Sequence, residues 1–250
     1  MKLRRGAGIV IFLVLWQLAA WVAAARGGTF AALFPGPLVV AVESVRLLRS
    51  GQLVHHAAAS LGRVLVGLGA GSLVGILLGY LMGTRPWARD ILEPVVELVR
   101  PVPPLAWIPL AILWLGIGLA DQAFIIFLGC VFPILLNTYE GVRTIEPRYL
   151  EVSRVFGADD STTWRRVVVP ATLPHVLTGL RVGAGVAWMC LVAAELQGVR
   201  TGYGLGYMMV VAQDLARADR IMVGMVSIGI LGYLMNQGMR GLEGRFVPWR

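Results

Sequence analysis

The sequence predicts an all-α membrane protein with six transmembrane helices, and three observations carry the prediction. Apolar residues make up 57% of the 250-residue chain and charged residues only 14%, against roughly a quarter charged in ordinary soluble domains. Five stretches carry no charge at all: 6–25, 64–83, 101–120, 122–139 and 221–239. Each meets the ~17–25 apolar residues needed to cross the hydrocarbon. A sixth, about 178–196, passes if Arg181 and Glu195 lie near its two ends. A soluble helical bundle is excluded because its helices would show a polar stripe, and these stretches show none.

The first stretch follows Lys2, Arg4 and Arg5 and ends at Ala23-Ala24-Ala25. That order suits a cleavable signal peptide, whose apolar core runs ~7–15 residues. The stretch here is about 20 residues, so it reads as an uncleaved first helix. Next comes 36–50, GPLVVAVESVRLLRS. Val39, Val42, Val45 and Leu47 recur at helical spacing, with Glu43, Arg46 and Arg49 elsewhere. This predicts a short helix lying on the membrane interface.

The second span reads VGLGAGSLVGILLGYLMG, with Gly67, Gly71, Gly75, Gly79 and Gly83 every fourth residue. Such a stripe lets another helix backbone approach closely, where dispersion replaces the missing hydrophobic drive. The third span starts RPVPPLAWIPLAILWLGIG. Pro101, Pro103 and Pro104 hold its entry extended, and Pro109 is expected to interrupt its backbone ladder. Pro133 is expected to do the same in the fourth. Neighbouring groups must satisfy the freed carbonyls.

Charge sets the orientation. The net charge is +8. With the N-terminus inside, 15 of the 22 Lys and Arg residues fall inside and 7 outside, which fits the positive-inside rule. Both termini are therefore expected in the cytoplasm. The excess positive charge serves orientation and contact with anionic lipid, not nucleic acid.

The stretch 151–174, EVSRVFGADDSTTWRRVVVPATLP, breaks the apolar pattern. Glu146 and Pro147 suit a helix start, and that helix is expected to run through Phe156. Gly157 should stop it. Asp159, Asp160 or Ser161 can cap a second short helix, Thr162 to Val169, halted by Pro170. Two short helices meeting at a corner make a rigid projection, and its apolar content argues against a merely solvated loop.

Those residues resemble the EAA loop of permeases of bacterial ATP-binding-cassette importers. Glu151, Gly157 and Pro170 stand at the matching spacing, while Val152 and Ser153 replace the alanines and Val167 and Val169 replace Ile and Leu. The stretches RPVPPLAWIPLAILWLGIG and GLRVGAGVAW resemble the nitrate/sulfonate/taurine branch. The resemblance covers about residues 60 to 245. It implies a type I importer permease fold, with residues 1–59 as first helix plus interfacial helix and 60–250 as a core of five spans. The cytoplasmic coupling loop would occupy about 141–177. Glu151, Arg154, Val155, Phe156, Gly157, Ala158, Asp159, Asp160 and Pro170 would form the contact to the ATPase. The resemblance further implies a bacterial inner-membrane complex. Two permease copies, two cytosolic ATPase subunits carrying ATP and Mg, and an extracytoplasmic binding protein would move a small solute by alternating access. This chain lacks a Gly-rich Lys-Ser/Thr phosphate loop, so it is expected to bind no cofactor and to catalyse no covalent chemistry.

Ionisable groups inside spans point to function. Arg63 and Glu195 are expected at similar depth near the outer face, close enough to pair, with Arg181 near the cytoplasmic face. An ion pair fixing two helices is weighed against contact with substrate. The alternative from another class is a secondary transporter or channel using Glu195 as an ion or proton site. Cys130 and Cys190 read as small packing residues. His55, His56 and His175 are too scattered to suggest a metal site.

Overall fold

The computed structural model describes residues 2–27, 33–197 and 202–246, with side chains from residue 7 onward. Among the described residues every regular element is helical. The chain forms two compact units, Met1–Leu61 with Glu195–Leu231, and Gly62–Ala194 with Gly232–Arg250.

The first unit opens with α1 (Lys2–Arg26) and α2 (Pro37–Arg49). Most apolar side chains of α1 are exposed, from Ile9 to Val22, while Ala20 and Ala23 are buried. That is the signature of a helix whose solvent is lipid. Helix α2 is the short helix expected, with Val39, Val42 and Val45 outward and Leu47 turned in. Its buried face carries Val40, Glu43 and Leu47, whereas Leu38, Val39, Val42 and Val45 point outward. An apolar surround rewards outward valines, so the charged residue turns in to find partners.

Helix α3 (Gln52–Thr84) crosses into the second unit. There α4 (Pro86–Val99), a 3-10 turn (Pro104–Trp107) and α5 (Ile108–Leu115) follow. The predicted third span is therefore not one helix. Among the described residues five helices are long and apolar enough to cross a bilayer, and α4 with the segment Pro104–Leu115 makes a sixth only as a pair bent by 85°. The cause is the Arg100-to-Pro104 elbow. Pro101, Pro103 and Pro104 supply no N–H, and Pro104 keeps Pro103 out of the helical region, at φ −58° and ψ 133°. Pro109 sits in the first turn of α5, where a missing N–H costs nothing, so it interrupts no ladder.

Helix α6 (Leu119–Arg143) packs along α3 through the glycine stripe. A Cβ on Gly67, Gly75, Gly79 or Gly83 would lie 2.6–2.9 Å from Ile126, Val131 O, Thr138 or Val142, and one on Gly71 would meet Cys130 Sγ. The stripe's neighbour is thus a helix of the same chain. Pro133 stays inside α6, and Asn137 Nδ2 donates to Pro133 O at 2.8 Å.

Helix α7 (Pro147–Val155), the single turn α8 (Asp160–Thr163) and a π turn (Trp164–Val168) lead into α9 (Val169–Gln197). Pro170 does not halt the helix, contrary to the sequence expectation. Val169 N–H donates to Trp164 O, a spacing of five residues, and this wider turn admits the proline ring that an α ladder would reject. Helices α10 (Leu205–Asp214) and α11 (Ala218–Phe246) complete the described residues.

Candidate functional site

The corner between α7 and α8 is built by local rules. Glu146 occupies the extended N-cap position of α7 without a side-chain cap bond, and Pro147 stands in the first turn. Gly157, at φ +75°, ends it. Gly157 N–H donates to Arg154 O at 2.9 Å and Ala158 N–H to Ser153 O at 3.0 Å, the paired bonds of a Schellman stop. Asp159 then opens α8, accepting from Thr162 N–H at 3.0 Å. The hydrogen bonds from Thr162 hold the Asp159 carboxyl below the ordinary carboxylate range.

These bonds fix a corner with an apolar tip. Val155 and Phe156 are each 85% exposed, and Glu151, Arg154, Asp159 and Asp160 are exposed around them. Ser153, buried on the opposite side, donates to Leu150 O at 2.8 Å and lies 3.2 Å from Thr163 Oγ1. The corner is stiffened by its own backbone while its largest apolar groups face outward.

The corner is also tied to the glycine-striped helix. Tyr80 on α3 meets Thr172 Oγ1 at 2.5 Å and sets its ring edge-on to Trp164, with centroids 4.9 Å apart. Trp164 starts the π turn and Thr172 lies just beyond it. The segment leading out of the corner thus meets one α3 side chain at two residues. Sequence reasoning missed Tyr80, because nothing in its spacing marks a partner 92 residues away.

In the first unit, Glu195 is 2% exposed. Its carboxylate accepts from Ser60 Oγ at 2.7 and 2.9 Å and from Gly206 N–H at 2.8 Å. Ser60 Oγ accepts from Leu205 N–H at 2.9 Å, and His56 Nδ1 accepts from Gly204 N–H at 3.0 Å. Three successive amides at the start of α10 are thus each held by a side chain. A helix start offers such N–H groups unsatisfied and carries partial positive charge, so a carboxylate suits it. Gly206 lets the helix come this close, since a Cβ there would lie 2.6 Å from Glu195 Cβ. His56 and Ser60 went unrecognised as site residues. Their spacing of four, one face of one helix, was the available signal.

Glu43 is the other buried carboxylate of this unit. It meets Arg220 at 2.9 Å, Arg217 at 3.2 Å and Arg46 at 3.8 Å. In the second unit Arg63 is buried at 6% exposure, and Arg181 pairs with Glu243 at 2.9 Å, joining α9 to α11. Among the described residues no group of three or more His, Cys, Asp or Glu is placed to hold a metal ion.

Residues 71–249 match the family described as binding-protein-dependent transport system inner membrane component. Taurine transport system permease protein TauC of Escherichia coli K12 is 36% identical over 197 residues, covering 79% of this chain and 71% of that one. Nitrate import permease protein NrtB of a Synechocystis strain is 31% identical over 255 residues, covering 98% and 90%. Among solved structures, the methionine ABC transporter MetNI in inward-facing conformations aligns with a TM-score of 0.68 over 79% of this chain and 97% of that one. At 20% identity that likeness establishes the fold, which is that of ABC importer permeases.

Proposed function

The chain belongs to the family of binding-protein-dependent transport system inner membrane components, and from that membership we propose that it forms the pathway of an ATP-driven importer for a small anion. The anion is suggested by relatives named for taurine and nitrate. The working complex would hold two copies of this chain, two cytosolic ATPase subunits with their ATP and Mg, and an extracytoplasmic binding protein, all set in lipid. The arginine distribution supports a reading with both termini and the α7–α8 corner on the cytoplasmic side.

One observation carries the reading: Val155 and Phe156 stand 85% exposed on a backbone-stiffened corner. Burying such a side chain stabilises by about 1.5–3 kcal/mol each, so a partner groove that covers the tip gains from both. The ATPase pair closes on nucleotide and carries the corner with it. The motion reaches α3 through Tyr80 and α9 through the π turn. The bent and broken spans then exchange inward-open and outward-open arrangements, a two-state element biased by nucleotide and by the loaded binding protein.

The test is copurification with the ATPase encoded for the same complex. Phe156→Asp should weaken that association by roughly hundredfold, about 2.7 kcal/mol, with membrane insertion and thermal stability retained. Unchanged association would remove the corner from the coupling role. The rival reading, Glu195 as an ion or proton site, is disfavoured because its oxygens accept from Ser60 and Gly206 at a helix start. It requires solute movement with no ATPase present.

A further inference from the structure

The elbow that breaks the third span opens onto a cavity of about 390 Å³ within the second unit. Such a volume falls within the ~300–1,000 Å³ usual for small-molecule sites. Arg100, Trp107, Phe132, Asn137, Val182 and Val186 line it. Irregular backbone at membrane depth persists only where protein buries it or a wet cavity borders it, and discontinuous helices mark solute sites in other transporters. Arg100 stands at the end of α4, immediately before the proline run. Among the described residues it has no ion-pair partner, and the Trp107 indole N–H has no acceptor. Asn137 uses one amide hydrogen on Pro133 O and keeps the other. These are three sets of donors, one full positive charge and no carboxylate on the cavity wall.

We propose that this cavity is a pathway subsite for a small monovalent oxyanion, recognised by the Arg100 guanidinium together with the Trp107 and Asn137 N–H groups. This deepens, and rests on, the importer reading given above. A guanidinium matches a trigonal array of oxygens with two parallel hydrogen bonds. One guanidinium balances one charge, so a divalent anion would remain uncompensated against the apolar side of the cavity. Phe132, Val182 and Val186 form that side and suit a short alkyl tail. The chemistry is that of a planar inorganic oxyanion or a short-chain sulfonate.

The test places a thiol in the cavity of the full-length chain in proteoliposomes. Val186→Cys is treated with the sulfonate-bearing reagent sulfonatoethyl methanethiosulfonate and with its trimethylammonium counterpart. Each rate is normalised to that of a free thiol. The parent chain supplies the background, its two native cysteines being buried. The sulfonate reagent should react about tenfold faster than the cationic one, as a cleft of one sign concentrates its counter-ion. Arg100→Gln should erase that preference, Arg100→Lys should keep part of it, and excess methanesulfonate should slow the reaction where sodium chloride at equal ionic strength does not. Val182→Cys, on the more exposed lip, repeats the measurement should Val186→Cys fold poorly. Equal rates for the two reagents, a preference indifferent to Arg100→Gln, or no reaction at either cysteine would each overturn the proposal. ATP-dependent uptake by the assembled complex is read separately. Uptake without charge-selective labelling removes this subsite alone. Charge-selective labelling without ATP-dependent uptake supports the subsite and removes the importer reading.

Discussion

The seam between α3 and α6 and the corner between α7 and α8 both depend on glycine, for opposite reasons. Along the seam the glycines are helical and what matters is space. At Gly79 an added Cβ would lie 2.6 Å from Thr138 Cβ and 2.7 Å from Leu135 O. At the corner space is free, with nothing within 4 Å of a Cβ on Gly157, and what matters is its φ of +75°. The seam excludes everything and holds two spans together. The corner satisfies its own backbone and leaves Val155 and Phe156 uncovered. One region is finished within the chain, and the other leaves an apolar tip open that the proposed ATPase contact would cover.

Substitutions that separate these two uses of glycine test the contrast. Gly79→Leu should have the largest effect. A side chain driven into α6 backbone cannot be relieved by a flexible neighbour, so about 3 kcal/mol or more of stability should be lost. A collapsed thermal transition in detergent would register it, and an unchanged one would mean the seam is looser than described. Gly157→Ala should cost less, about 1–2 kcal/mol for a left-handed alanine, concentrated locally. It should show as weaker ATPase association with little change in the global melting temperature.

Tyr80→Phe is milder still. It keeps the ring against Trp164 and removes only the bond to Thr172, whose hydroxyl also donates to Val168 O at 2.9 Å. A loss of about 1 kcal/mol is expected. Solute-stimulated ATP hydrolysis should fall more than stability does if Tyr80 links the corner to α3. Equal, small changes in both would leave Tyr80 a packing residue. The smallest effect concerns acid. Because hydrogen bonds from Thr162 lower the folded Asp159 pKa, the cap contributes fully above the ordinary carboxylate range. It fades as pH falls through the lowered folded value. Hydrogen-exchange protection at the Thr162 amide, corrected for intrinsic rate, should drop in that acid window, and Asp159→Asn should flatten the dependence.

Legibility followed the range of the interaction. Most of the corner could be read locally because each bond in it spans a few positions: Glu146 and Pro147 start a helix and Gly157 stops it, while the next cap stayed open among Asp159, Asp160 and Ser161 until the structure gave Asp159. The glycine stripe was equally plain, since its period of four lies in one segment. Pro170 misled because the π turn before it shifts the register by one residue, which propensity alone does not foresee. The third span misled because absence of charge measures hydrophobicity and says nothing of continuity. Three prolines in four residues were the warning. Glu43 and Glu195 were visible as charges, but their partners Arg217, Arg220, Ser60 and Gly206 come from distant segments.

By itself the sequence determined that this chain lives in a bilayer, which face of its second span must pack closely and where a stiff polar corner interrupts the apolar pattern. Each of these is a property of local composition or short period. Tertiary structure decided which way α2 faces, what closes around each buried carboxylate and where the broken span leaves a cavity beside Arg100. Those outcomes depend on which distant segments meet, and in an apolar solvent a polar group is placed by the partners it finds rather than by its own hydropathy.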